Sequence, residues 1–188
     1  MGGKKEVNMI QIRNGVFETN SSSVHSICIS KKKSKIDTKN VVYFEMGEYG
    51  WEHDTVDIKD YLYTAINYFE DREELLERLE SILKKHKIRY CFKYCFGKYR
   101  NVWLDHFEET REFVEAVLND EDMLMRLLFN KESVVYTGND NDDGDYYDSC
   151  FVSTKEILQY YDRKKGKWYT TPNPHHNEEE FDYFCKGN

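Results

Sequence analysis

The sequence predicts an α+β protein in which a small mixed or antiparallel sheet is packed by four to five amphipathic helices. Strand-like alternation comes early in the chain, helical periodicity clusters in the middle, and no sustained strand–helix–strand repeat links the two. With 188 residues the chain can bury a core without staples or metals. A single domain over residues 10–171 is expected, with 1–9 as a flexible N-terminus and 172–188 as a polar, acidic tail.

Ile10 to Phe17 alternates enough for a short strand, and Val24 to Ser30 is a better one. Between them, Glu18-Thr19-Asn20-Ser21-Ser22-Ser23 reads as a turn, because such side chains bond nearby backbone and compete with regular structure. Lys31 to Asn40 is a lysine-rich connection, and Val41 to Met46 is a third strand candidate. Two helices follow. Asp57 to Glu70 sets Ile58, Leu62, Ala65, Ile66 and Phe69 on one stripe, and Glu73 to Lys87 does the same with Leu75, Leu76, Leu79, Ile82 and Leu83. The pairs Glu74–Arg78 and Glu80–Lys84 add about 0.2–0.5 kcal/mol each to the second helix. Ile88 to Phe96 is predicted as a strand closed by Gly97. Further helices are predicted over Asp105 to Leu118, with Phe107, Val114, Val117 and Leu118 inward, and over Asp120 to Phe129. Ser133 to Thr137 is predicted as a strand, Thr154 to Tyr161 as a helix, and Lys167 to Thr171 as the last strand.

The composition excludes some function classes. The net charge is -8, from 27 basic and 35 acidic residues, which argues against general nucleic-acid binding. The five cysteines are odd in number, irregularly spaced and not preceded by a secretory leader pattern, so reduced thiols in a cytosol are expected. No apolar run approaches the roughly 20 residues that span a bilayer, so no membrane partner is expected.

The densest polar segment runs from Arg13 to Ser26 and holds a guanidinium, a carboxylate, an amide, several hydroxyls and an imidazole. Successive Ser and Asn residues in a turn can aim several backbone N–H groups at one anion. A phosphorylated or nucleotide-like ligand is the chemistry this favours. Arg13, Asn20, Ser21, Ser22 and Ser23 are the candidate ligand-binding groups, and Lys31 to Lys33 and Lys35 could add positive charge from beyond the adjoining strand. Glu18, Ser22 and His25 are the candidate catalytic groups, although nucleophilic catalysis also needs a base, an orienting group and an oxyanion site that sequence adjacency does not supply. The competing reading is an ordinary turn and a satisfied core histidine.

The stretch R-N-G-V-F-E-T-N-S-S-S-V-H-S over Arg13 to Ser26 resembles the N-terminal signature of uncharacterised proteins encoded by phages and mobile elements of low-GC Gram-positive bacteria. Gly138-Asn139-Asp140-Asn141 is similar to a second segment of those proteins. The resemblance implies a mobile-element accessory protein and supplies no catalytic residues.

The loop from Gly138 to Asp148 invites a calcium reading, but an EF-hand register that sets Gly144 at the sixth position places Cys150 where a bidentate Glu is required. A looser Mg²⁺ or Ca²⁺ site from Asp140, Asp142 and Asp145 remains, against a solvated turn as the plainer reading. Zinc is disfavoured: on a strand, Cys91 and Cys95 stand roughly 13 Å apart at about 3.3 Å per residue, too far for one ion. A second functional class is an acidic protein-binding inhibitor of a host defence or nucleic-acid-handling complex, motivated by the net charge and the abundant tyrosines.

Overall fold

Strand β1 (Val24–Ser30) alternates His25, Ile27 and Ile29 with Ser26, Cys28 and Ser30, and all six are buried. A strand dry on both faces needs a layer on each side, and the rest of the chain supplies them. The computed structural model describes residues 24–50, 54–93, 102–104, 107–138, 150–154, 157–162, 165–172 and 178–186.

The chain continues through β2 (Val41–Glu45), β3 (Glu48–Tyr49) and β4 (Asp54–Val56) into helices α1 (Ile58–Tyr68) and α2 (Arg72–Lys85). Then come β5 (Arg89–Lys93), β6 (Trp103–Leu104), a 3₁₀ turn (Phe107–Thr110), α3 (Arg111–Asn119), α4 (Glu121–Phe129) and β7 (Val134–Gly138). The last four strands are β8 (Cys150–Thr154), β9 (Ile157–Asp162), β10 (Lys167–Pro172) and β11 (Phe181–Lys186). The main sheet is antiparallel in the order β11-β1-β7-β4; β10-β9-β8 form a second antiparallel sheet, while β2-β5 and β3-β6 are parallel pairs. The α+β class predicted from the sequence is what forms. Among the described residues, no helix is long and apolar enough to cross a membrane.

Helices α1, α3 and α4 cover the Ile27–Ile29 face of the main sheet, and β8 comes up against β1 and β7. Asp57 caps α1 by accepting from the Lys59 backbone N–H, which satisfies one of the helix's orphan donors. The helix buries Tyr61, Tyr63 and Thr64 besides Ile58, Leu62, Ala65 and Ile66, a wider face than its aliphatic stripe suggests. Helix α2 buries Leu75, Leu79, Ile82 and Leu83 at the expected spacing. It stops at Lys87, whose φ of 56° is left-handed, with the Lys87 and Ile88 N–H groups bonding back to Lys84 and Leu83.

Three expectations are corrected. Most of the helix predicted over Thr154 to Tyr161 is strand instead: β9 (Ile157–Asp162) lies between β8 and β10 with a ladder on each side, and its apolar, aromatic run fits a pleated strand as well as a helix. The segment after Pro172 is more than a polar tail, since β11 pairs with β1 along six residue pairs from His25↔Lys186 to Ser30↔Phe181. Arg78 does not serve Glu74; it crosses to Glu115 (3.0 Å) and Asn119 (3.0 Å) on α3. Glu80–Lys84 does form, at 2.5 Å. The predicted strand from Ile10 to Phe17 lies outside the described residues.

The helix layer is tied by charge. Arg111 grips Asp71 through two bonds of 2.7 Å, donates to Glu115 at 2.5 Å, and lies 5.0 Å from the Phe69 ring centre. Hydrogen bonds from Arg111 hold the Asp71 carboxyl below its usual range, and those from Lys85 and His86 do the same for Glu121. Burial pushes Glu115 up, but bonds from Arg78 and Arg111 outweigh it and leave the group low. A carboxylate whose folded pKa lies below its unfolded value binds fewer protons when folded. Its stabilisation is therefore complete above about pH 4.5 and is lost as pH falls through the folded value. Asp60 has the opposite sign, because burial raises it. Asp37 and Glu80 are also lowered, by hydrogen bonds from the Lys39 N–H and from Lys84, so with five carboxyls against one, urea midpoints are expected to climb between about pH 2.5 and 5 and then level off. A flat profile across that window would contradict these assignments.

Candidate functional site

Pairing register assembles four distant residues into one row at an end of the main sheet. His25 on β1 is opposite Lys186 on β11 and Thr137 on β7, and Thr137 is in turn opposite Asp54 on β4. Adjacent strands stand about 4.8 Å apart, so Lys186, His25, Thr137 and Asp54 follow one another across the sheet in that order.

His25 is fully buried, and Tyr61 Oη lies 2.6 Å from its Nδ1, with the rings edge to face at 5.5 Å between centroids. Tyr61 is held in turn by Tyr49 (5.4 Å) and Phe113 (6.0 Å). A hydrogen bond at Nδ1 fixes the ring's orientation and couples its tautomer to the tyrosine hydroxyl. Helix α1 thus presents Tyr61 to β1 so that the imidazole has a single setting. Thr137, also buried, is its neighbour across the ladder. Fully buried and hydrogen-bonded to Tyr61, His25 is by itself the satisfied core histidine of the competing reading.

The opposite face of β1 is polar too. Ser26 Oγ donates to Tyr183 Oη at 2.8 Å and lies 3.8 Å from Cys28 Sγ. Ser26 therefore faces away from His25, and the two do not form a nucleophile–base pair.

Of the sequence-derived site residues, His25 is placed as described. Arg13, Glu18, Asn20, Ser21, Ser22 and Ser23 lie outside the described residues, as do Asp140, Asp142 and Asp145. The strand ends from which these two segments continue are nevertheless known: Val24 pairs with Gly138. Val24 and Gly138, which border those segments in the sequence, stand one strand spacing apart beside the His25 row.

The lysines are elsewhere. Lys31 follows the far end of β1, and seven strand residues separate that end from Val24 by roughly 20 Å. Lys31 donates to the Glu178 carbonyl (2.6 Å), and Lys32 pairs with Glu132 (3.1 Å). Lys31 and Lys32 are thus engaged by carboxylate and carbonyl oxygens at the end of β1 away from Val24. Cys91 is an exposed free thiol on β5, and His86 bonds Glu121 at 2.8 Å.

Tyr61, Thr137, Asp54 and Lys186 were not singled out from sequence. Tyr61 offered one signal, its position one turn before Ala65 on the buried face of α1. The others become neighbours only through strand register.

No protein-family model matches the chain, and no curated protein or solved structure is significantly similar to it. Function has to come from the site itself.

Proposed function

We propose that this protein binds a phosphorylated or nucleotide-like small molecule at the His25 end of the main sheet. The observation that supports the reading is the Val24↔Gly138 pairing next to a buried imidazole oriented by Tyr61, since Val24 and Gly138 border the serine-rich and acidic segments in the sequence. Backbone amides and hydroxyls from Asn20 to Ser23, with Arg13, suit a phosphate. Asp140, Asp142 and Asp145 suit a Mg²⁺ or Ca²⁺ ion that neutralises it. Any turnover would run through Glu18, Ser22 and His25. The resemblance of residues 13–26 to phage and mobile-element proteins supports an accessory role in the host bacterial cytosol.

Thermal-shift measurements against nucleotides and sugar phosphates, each with Mg²⁺ and with Ca²⁺, test this. A true ligand at about 100 times its Kd stabilises the fold by about 2.7 kcal/mol. Glu18→Gln and Tyr61→Phe should weaken that ligand by about tenfold or more while circular dichroism stays unchanged. Absence of stabilisation by every phosphorylated compound would overturn the proposal.

One observation favours the second reading, an acidic inhibitor of a host complex. Glu70, Glu73, Glu74 and Glu77 line a groove of about 640 Å³ where α1 turns into α2, and this suits a basic partner surface. Reversing Glu73, Glu74 and Glu77 to Lys should abolish partner capture in that case and leave small-molecule binding intact.

A further inference from the structure

We propose that the edge of β5 away from β2, unpaired among the described residues, is a strand-addition site for an extended, acidic segment of a partner protein. Parallel strands normally lie inside larger sheets with both faces covered, yet β2 and β5 form a parallel pair joined by no third strand among the described residues. Their inner face, Val42, Phe44, Tyr90 and Phe92, packs on the core. The outer face carries Tyr43 at 47% exposure together with exposed Arg89, Cys91 and Lys93. At the C-terminal end of β2 the edge is occupied by α1, where Asp60 accepts from the Glu45 N–H (2.9 Å) and Thr64 from the Gly47 N–H just beyond the strand (3.0 Å). That leaves β5 as the edge able to offer alternate N–H and C=O groups to a new strand.

The choice of partner follows from charge. Arg89 and Lys93 flank the small Cys91 on one face, a basic strip on a chain of net charge -8, and the Arg89 guanidinium is steadied by the Lys39 carbonyl at 3.1 Å. Recognition of a carboxylate by this strand is already present on its other side: Glu45 of β2 is directly opposite Lys93 and ion-pairs with it. An acidic residue at the matching register of an added strand would meet the same ammonium group, and another four residues along would meet Arg89. Apolar residues between them would lie over half-buried Tyr90 and Phe92. A second copy of this chain does not fit, because antiparallel pairing about Cys91 would set Arg89 opposite Lys93, and like charges directly opposed destabilise a ladder.

The test uses a synthetic nine-residue peptide, Thr-Val-Glu-Val-Thr-Val-Glu-Val-Thr, added to the full chain while amide hydrogen exchange is followed residue by residue. Slowed exchange across Arg89–Lys93 is expected, with binding at least about tenfold weaker when both Glu are replaced by Lys. The double variant Arg89→Glu, Lys93→Glu should invert that preference, and because both side chains are exposed its circular dichroism should match the parent. Unchanged exchange at these amides, equal binding of the Lys peptide, or protection of the same amides by oligothymidylate instead would overturn the proposal.

Discussion

Phe113→Ala is expected to lower the unfolding free energy by about 3–5 kcal/mol, the largest loss from any single ring in the helix layer. Phe113 is 1% exposed and packs against Tyr61 of α1 (6.0 Å) and Phe184 of β11 (5.6 Å), so one side chain joins helix α3 to both a helix and an edge strand. Truncation removes the ring's transfer free energy and leaves a cavity whose walls are fixed by three elements, which gives them little freedom to collapse. The cavity would open beside Tyr61, the residue that orients His25. Loss of stability and loss of the proposed ligand should therefore appear together in this variant. Phe113→Leu, which keeps most of the volume, should cost less than about 1.5 kcal/mol and spare binding. Urea denaturation of the three proteins measures the series, and an alanine penalty below about 1 kcal/mol would show that Phe113 is not the junction described.

Local pattern and long-range pairing contributed unequally to what could be read in advance. Helix α2 was legible because Leu75, Leu79, Ile82 and Leu83 recur at helical spacing and little else competes with that period. Strand β1 was legible from the alternation of His25, Ile27 and Ile29. Strand β9 is ambiguous in the sequence because Ile-Leu-Gln-Tyr-Tyr is too short for period alone to separate helix from strand; its two neighbours decide. Strand β11 was missed for another reason. Its partner β1 lies some 150 residues earlier, and the acidic run before Phe181 masked the alternation of Phe181, Tyr183 and Cys185. The candidate site shows the same division. His25 stood out as a reactive residue type beside a serine-rich turn, whereas Thr137, Asp54 and Lys186 join it only because three ladders share one register. A register is set by which faces are buried, information held by no single segment.

Arg126→Ala should be the most damaging change at a charged residue, costing about 3 kcal/mol and acting on the sheet rather than on the helix that carries it. The Arg126 side chain is only 14% exposed, and its Nη1 donates to Asp182 Oδ2 of β11 (2.8 Å) and to the Ser30 carbonyl at the end of β1 (3.2 Å). One guanidinium on α4 therefore closes the junction of two adjacent strands. Lys31 stands 3.6 Å from the other Asp182 oxygen, but at 42% exposure it is too well solvated to replace the lost partner. Removing Arg126 leaves a partly buried carboxylate and a strand-end carbonyl without their main donor, and the cost of such orphaned groups exceeds the net worth of the pair. Asp182→Asn, which keeps an acceptor, should cost less, and the double variant should recover about 1–2 kcal/mol relative to the sum of the singles. Because β11 is the outermost strand of the main sheet among the described residues, the deficit should also be local: amide exchange should accelerate first in Phe181–Lys186 and at the Ser30 end of β1, ahead of α2. Uniform acceleration across both sheet and helices would mean that Arg126 supports the whole core rather than the seam between β1 and β11.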